Sequence, residues 1–325
     1  MNRFSTVQAA IALFAAFAFP APAHASDWPS RPVTVIVPFA AGGNTDMMAR
    51  LATQHLSAKF GQSFVVENRP SAGGAVATGQ VATAAPDGYT LLFSAAANIN
   101  LTPQLQKLPY DPVKQLVPVT NVGTGTQTIA VNRRIPVTTL PELIAYAKAN
   151  PGKLNFTAAG TQNVSHLAPV LLFALAGIDL VFVPAKGGPQ AVSDIMSGQV
   201  DVYFGNSSEL LPHINSDKIR LLATGAAQRL AAVPDLPTVA ETIPGFEFSS
   251  WNGFSVPTGT PEPIVKAIRD EVTALVKTPE VSDRLTRLGI MPGGMTKEEV
   301  QAYFIKDRAA LTAAVKAAKI EPPTQ

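Results

Sequence analysis

The sequence predicts an α/β protein built from two domains, each a mostly parallel sheet flanked by helices. Two observations carry this. Counting from Val33, six strands each end in a loop of Gly, Ala, Ser, Thr or Asn that opens a helix. Alternation at this spacing implies parallel strands joined by right-handed crossovers. The pattern is interrupted at G-T-G-T (123–126), where the chain can pass between domains, and at an aromatic strand (246–256), which can carry it back.

The opening unit, residues 33–60, shows the logic. V-T-V-I-V-P is apolar and β-branched, as in a strand buried on both faces. Gly42 and Gly43 permit a tight turn with uncovered N–H groups. Asn44 or Thr45 can cap the next helix, and Asp46 lies in its first turn. Met48, Ala52, Leu56 and Phe60 recur every four residues, Leu51 widens the stripe, and Gly61 ends the helix. A strand, glycine loop and helix aim free N–H groups and the positive end of a dipole at one spot, which favours an anion.

The residues before this unit read as a secretory signal peptide. Arg3 gives a basic start, 7–19 is almost wholly apolar, and Ala23-His24-Ala25 has the small–x–small form of a cleavage site, with the cut expected after Ala25. The apolar run falls short of the roughly 20 residues that a spanning helix needs. The expected location is the periplasm, with no membrane span in the mature chain.

Composition fits an exported globular protein. The 325 residues are 46% hydrophobic, enough for one large domain or two ordinary ones. A formal net charge of +2 without any basic run argues against a nucleic-acid partner. The chain has no cysteine, which excludes disulfides and thiol chemistry and suits a periplasmic domain that needs no staples.

Further along, a strand at 64–66 precedes R-P-S-A-G-G-A and a small-residue helix at 76–84. A third strand (90–93) leads into S-A-A-A-N-I-N, and 102–118 reads as irregular. Thr139 and Glu142 are spaced as a capping box for a helix to Asn150. The second half repeats the opening theme. A strand at 154–156 precedes T-A-A-G-T-Q-N-V-S-H and an apolar helix; 180–183 precedes P-A-K-G-G-P; 200–204 precedes G-N-S-S-E; and 219–223 is a further strand. Helices follow at 263–277, 281–288 and 297–318, the last opened by a Thr296/Glu299 capping box. Polar loops at the C-terminal ends of parallel strands share one edge, where ligands bind.

The residues supply little for catalysis. His55, His166 and His213 are scattered without ligand spacing, and neither H-E-x-x-H nor G-x-S-x-G occurs. The glycine loops match neither phosphate-cradling nor dinucleotide fingerprints. His166 opens a helix and has either a pocket role or a structural one. Lys186 can counter an acidic ligand or be a solvated loop residue. Trp251 and Phe39 suit either a pocket wall or a core.

W-P-S-R-P-V (28–33), P-F-A-A-G-G-N-T-D (38–46), V-V-E-N-R-P-S-A-G-G (65–74), A-A-P-D-G-Y-T-L-L (84–92), L-P-Y-D-P (108–112), N-P-G-K-L-N (150–155), V-P-A-K-G (183–187), P-D-L-P-T-V-A-E (234–241) and P-G-F-E (244–247) occur in that order. Together they make the chain resemble the Bug-type substrate-binding proteins of tripartite tricarboxylate transporters. The resemblance implies a two-domain periplasmic-binding-protein clamshell with two crossover strands, which binds small carboxylates without catalysis, cofactor or metal. Its expected division is 1–25 signal peptide, 26–125 plus 251–325 one domain, and 126–250 the other. The partners it implies are a small mono- or dicarboxylate and the membrane permease subunits, with the protein acting as a monomer. A ligand-loaded partner of a membrane sensor, and a secreted hydrolase or transferase, stand as the other readings.

Carried over by position, one carboxylate loop holds Phe39, Ala41, Gly42, Gly43, Asn44, Thr45 and Asp46. The other holds Ala159, Gly160, Thr161, Gln162, Ser165 and His166, with Asn98, Lys186, Gly187 and Asn206 around the cleft. The chain departs from the family twice. Ala185 replaces a tyrosine common in V-P-Y-K-G, and Gly205 replaces the aspartate of F-D-N. Loss of that carboxylate points to a ligand without an amino group, unless Glu209 supplies the charge. The two small residues together are expected to leave room for a bulkier acid, aromatic ones included.

Overall fold

The computed structural model describes residues 28–161, 163–318 and 320. The expected signal peptide, its cleavage point and Gln162 lie outside these. Strand β1 (Val33–Val37) leads to α1 (Asn44–Phe60), β2 (Phe64–Asn68), α2 (Ala75–Ala82) and β3 (Thr90–Ala95). One turn of π-helix (Ala97–Leu101) fills the loop after β3, and the short helices α3 (Thr102–Leu105) and α4 (Pro112–Gln115) lie within the stretch expected to be irregular. Asp111 accounts for α4, because its carboxylate accepts from the Val113 and Lys114 N–H groups and Pro112 presets the first turn.

Strand β4 (Leu116–Asn132) then runs for 17 residues and passes from one lobe to the other. The second lobe follows as α5 (Leu140–Ala149), β5 (Asn155–Thr157), α6 (Val164–Ala176), β6 (Val181–Phe182), α7 (Gly188–Ser197), β7 (Val202–Asn206), α8 (Ser207–Leu210) and β8 (Ile219–Thr224). β9 (Ser249–Pro257) returns to the first lobe. There α9 (Glu262–Val276), α10 (Pro279–Arg287), β10 (Ile290–Pro292) and α11 (Lys297–Ala317) complete the fold.

All ten strands form one sheet, with the main order β2-β1-β3-β9-β4-β7-β5-β6 and with β8 and β10 also paired to β4. The outer strands are parallel as expected: β2 and β3 flank β1, and β6 and β7 flank β5. The strands around the crossing are antiparallel. β4 bonds to β9 from Leu116 to Thr126, then to β7 from Gln127 onward. The partner exchange falls inside the G-T-G-T-Q stretch.

Burial follows the stripe expected on α1. Met48, Ala52 and Leu56 of α1 and Val265, Ile268 and Val272 of α9 close over Val33, Val35 and Val37. Phe60 packs edge-on against Trp28, its centroid 5.4 Å away. The Thr296/Glu299 capping box forms in both directions. At α5 the Thr139 hydroxyl accepts from the Glu142 N–H, but the Glu142 carboxylate turns back to Thr138, so the box is offset by one residue.

Trp251 is core. It is fully buried, stacks on Phe304 of α11 at 3.8 Å and donates from Nε1 to Asp307 at 3.0 Å. The return strand is thereby tied to the C-terminal helix. Trp251→Ala is expected to lower stability by about 3–5 kcal/mol. Urea denaturation should show a lower midpoint at an unchanged m value.

Candidate functional site

A narrow cleft of about 60 Å³ lies where the two lobes meet. Three helices begin at it. From the first lobe come Gly43, Asn44 and Thr45 at the start of α1. From the second come Asn163, Val164 and Ser165 at the start of α6, and Gly187 and Gly188 at the start of α7. The first amides of a helix lack intrahelical acceptors, and the dipole adds positive potential there. No lysine or arginine lines the cleft among the described residues. Positive potential therefore comes from backbone rather than from side-chain charge.

Side chains fix these loops. Asn163 caps α6: its Oδ1 accepts from the His166 N–H at 3.0 Å and the Ser165 hydroxyl at 2.8 Å, and its Nδ2 donates to the Ala159 carbonyl. The Ser165 hydroxyl in turn accepts from the Ala159 N–H. Asp46, only 3% exposed, braces the glycine turn by accepting from the Gly42 N–H, Arg50 and Asn68. Burial pushes its carboxyl up, but the bonds from Arg50, Gly42 and Asn68 outweigh this and hold it below the usual range.

The cap expected on α1 is absent, because both candidate side chains reach elsewhere. The Ser208 hydroxyl donates to Asn44 Oδ1 at 2.7 Å, and the Thr45 hydroxyl donates to Asn252 Oδ1 at 2.8 Å. The Asn44 N–H instead donates to Oε1 of Glu209, across the cleft in the other lobe, at 3.2 Å. Glu209 is thus the cap of α1. Asn206 Nδ2 donates to the same oxygen at 3.0 Å, and the Tyr203 hydroxyl donates to Oε2 at 2.5 Å. Burial raises the Glu209 carboxyl above its ordinary range despite these donors. Burial, then the neighbouring Glu209, lifts the Tyr203 phenol well above its own.

The two glycines near Glu209 are where they must be. A side chain on Gly188 would start 2.1 Å from Glu209 Oε1, and one on Gly205 would start 1.9 Å from the Tyr203 ring. This corrects one expectation. The space freed at Gly205 is filled by Tyr203, so Gly205 adds no room for a bulkier ligand. Glu209, the alternative source of the missing charge, lines the cleft.

The cleft brings together Phe39, Gly43, Asn44, Thr45, Ala159, Ser165, Gly187 and Asn206 from the residues singled out in sequence. Gly160, Thr161 and Lys186 line an adjoining recess with Ala185 instead. Ala41 and Gly42 face solvent. Asn98 is buried outside the lining, with Oδ1 accepting from the Ala95 N–H and Nδ2 donating to Thr78. His166 lies against Phe182 at 4.4 Å, and burial lowers its pKa, so it is neutral at pH 7. Sequence reasoning missed Ser250 and Asn252 on β9. Asn252 is 1% exposed, and its Nδ2 has no partner among the described residues. A polar residue inside the aromatic run W-N-G-F was the available signal.

Residues 48–319 match the sequence profile of the family described as the tripartite tricarboxylate transporter family receptor. The chain belongs to this family. Like its members it is a periplasmic-type solute-binding protein and not an enzyme. The solved structures that this receptor resembles include the following three. R. palustris Rpa4515, determined with adipate, is 33% identical with a TM-score of 0.87, covering 91% of this chain and 100% of its own. MatC from Rhodopseudomonas palustris, with bound malate, is 32% identical with a TM-score of 0.82, covering 89% and 100%. The periplasmic binding protein BugD is 33% identical with a TM-score of 0.84, covering 90% and 99%.

The raised carboxyl of Glu209 sets a sign for stability. An unfolded glutamate titrates near 4.5, so above that pH the unfolded chain sheds a proton that the folded receptor retains more tightly. Stability from this group is full below pH 4.5 and declines as pH rises through the folded value. Glutamine at this position keeps the acceptor for Asn44 and Asn206 and adds no charge. Glu209→Gln in the ligand-free protein is expected to melt higher than wild type at pH 8, with the gap closing at pH 4. Scanning calorimetry at the two pH values checks it.

Proposed function

We propose that this receptor captures a small mono- or dicarboxylate in the cleft and presents it to the membrane permease subunits of a tripartite tricarboxylate-type transporter. The observation that carries this is the meeting of three helix N-termini from two lobes at one cleft, with the donor Asn252 Nδ2 unpartnered in its wall. Such termini hold carboxylates through backbone N–H groups without a cationic side chain. The adipate and malate seen in the similar structures support the ligand class. The N-terminal pattern supports export to the periplasm with cleavage after Ala25.

We place the domain boundaries in the two crossings, giving 26–125 plus 251–325 and 126–250. The partner exchange of β4 between Thr126 and Gln127 supports the first. The bond from the Thr126 hydroxyl to the Phe248 carbonyl, just before β9 starts, supports the second. In this reading the lobes close over the ligand as hinged domains do.

Thermal-shift screening of the ligand-free receptor against a carboxylate library tests the proposal. An acid at 100 times its dissociation constant should add about 2.7 kcal/mol of stability. Scattering with that acid at saturation should show a smaller radius of gyration than without it. A library in which no carboxylate raises the melting temperature contradicts the reading.

A further inference from the structure

The carboxyl group of Glu209 is hydrogen-bonded but has no cationic side chain beside it among the described residues. Its donors Asn44, Asn206 and Tyr203 carry no positive charge, and no lysine, arginine or histidine among the described residues forms an ion pair with it. Anions withdrawn from water are normally paired. A plain carboxylate entering this cleft would add a second negative charge beside the first.

The surroundings are built to hold Glu209 where it is. Gly188 gives way to its carboxylate, Gly205 gives way to the Tyr203 ring, and the Tyr203 hydroxyl then meets Oε2. Asn44, Asn206 and Tyr203 hold the carboxylate in place, and Glu209 still lines the cleft. The opposite polarity lies elsewhere in the same cleft, at the start of α6 and at the unpartnered Asn252 Nδ2. One wall therefore suits a ligand anion and another a ligand cation.

We propose that the ligand carries a protonated amino group beside its carboxylate, and that Glu209 is the residue that selects for it. This rests on the carboxylate reading above and narrows it to amino-carboxylates. It also reverses the expectation drawn from Gly205, because the charge absent there is supplied four residues later.

Titration calorimetry with matched pairs tests this: aspartate against succinate, glutamate against glutarate, and phenylalanine against 3-phenylpropionate. Each is run on wild type and on Glu209→Gln. In the pair that binds, the amino member should bind at least tenfold tighter to wild type, and the variant should lose that preference. Equal or tighter binding of the deaminated member overturns the inference and leaves the carboxylate reading standing, as does a preference that survives in the variant. If no member of any pair binds wild type, the inference falls, and the carboxylate reading is decided by the library screen.

Discussion

The hydrogen-bond ladder of β4 is the constraint on which the rest depends. Its first part is held by β9 and β10 and its second by β7 and β8, so one continuous strand belongs to both lobes. From Val119 to Asn132 both faces of this strand are buried apart from Gly125, so a change of pairing register would exchange every side chain between two packed faces. Gln127 also donates to Asn206 at 3.1 Å, and Thr128 bonds to Ser207 at 2.7 Å. The strand that joins the lobes thus also positions the residues leading to Glu209. Trp251, Asn252 and Phe254 play the matching part on β9, with Trp251 tied to α11, Asn252 to Thr45 and Phe254 against Phe93 at 5.0 Å.

With the lobes so joined, the electrostatics of the cleft follow from the starts of helices. α1, α6 and α7 have 17, 13 and 10 residues, and each contributes its N-terminal turn. Proline at the second position of α7 removes an N–H that would have had no intrahelical acceptor. Against this positive background stands one carboxylate among the described lining residues, Glu209, bonded to an amide of the opposite lobe. It joins the lobes and gives the cleft its second polarity.

Much of this was legible in the sequence. The four-residue stripe of α1 and the glycine turn after β1 are local signals, and each reappears in place. What could not be read was where side chains go once distant segments meet. Asn44 and Thr45 looked like caps because capping is a local habit, and only the approach of Ser208 and Asn252 diverts them. Gly205 looked like lost volume because nothing local shows Tyr203 folding over it. His166 opens a helix, but it packs against Phe182 and does not line the cleft. The antiparallel strands at the joint were likewise hidden, since β4 and β9 serve as crossings rather than as steps in the alternation.

The central claim is that backbone amides at helix N-termini hold the ligand's carboxylate. Amide chemical shifts test it most directly, in a titration of the isotope-labelled receptor with the acid that stabilises it best in the thermal screen. The account predicts that Thr45, Val164 and Ser165 move among the largest shifts, and that the corresponding primary amide, which lacks the charge, moves them far less. Saturation that leaves these three amides in place, or an amide that binds as tightly as the acid, would contradict it.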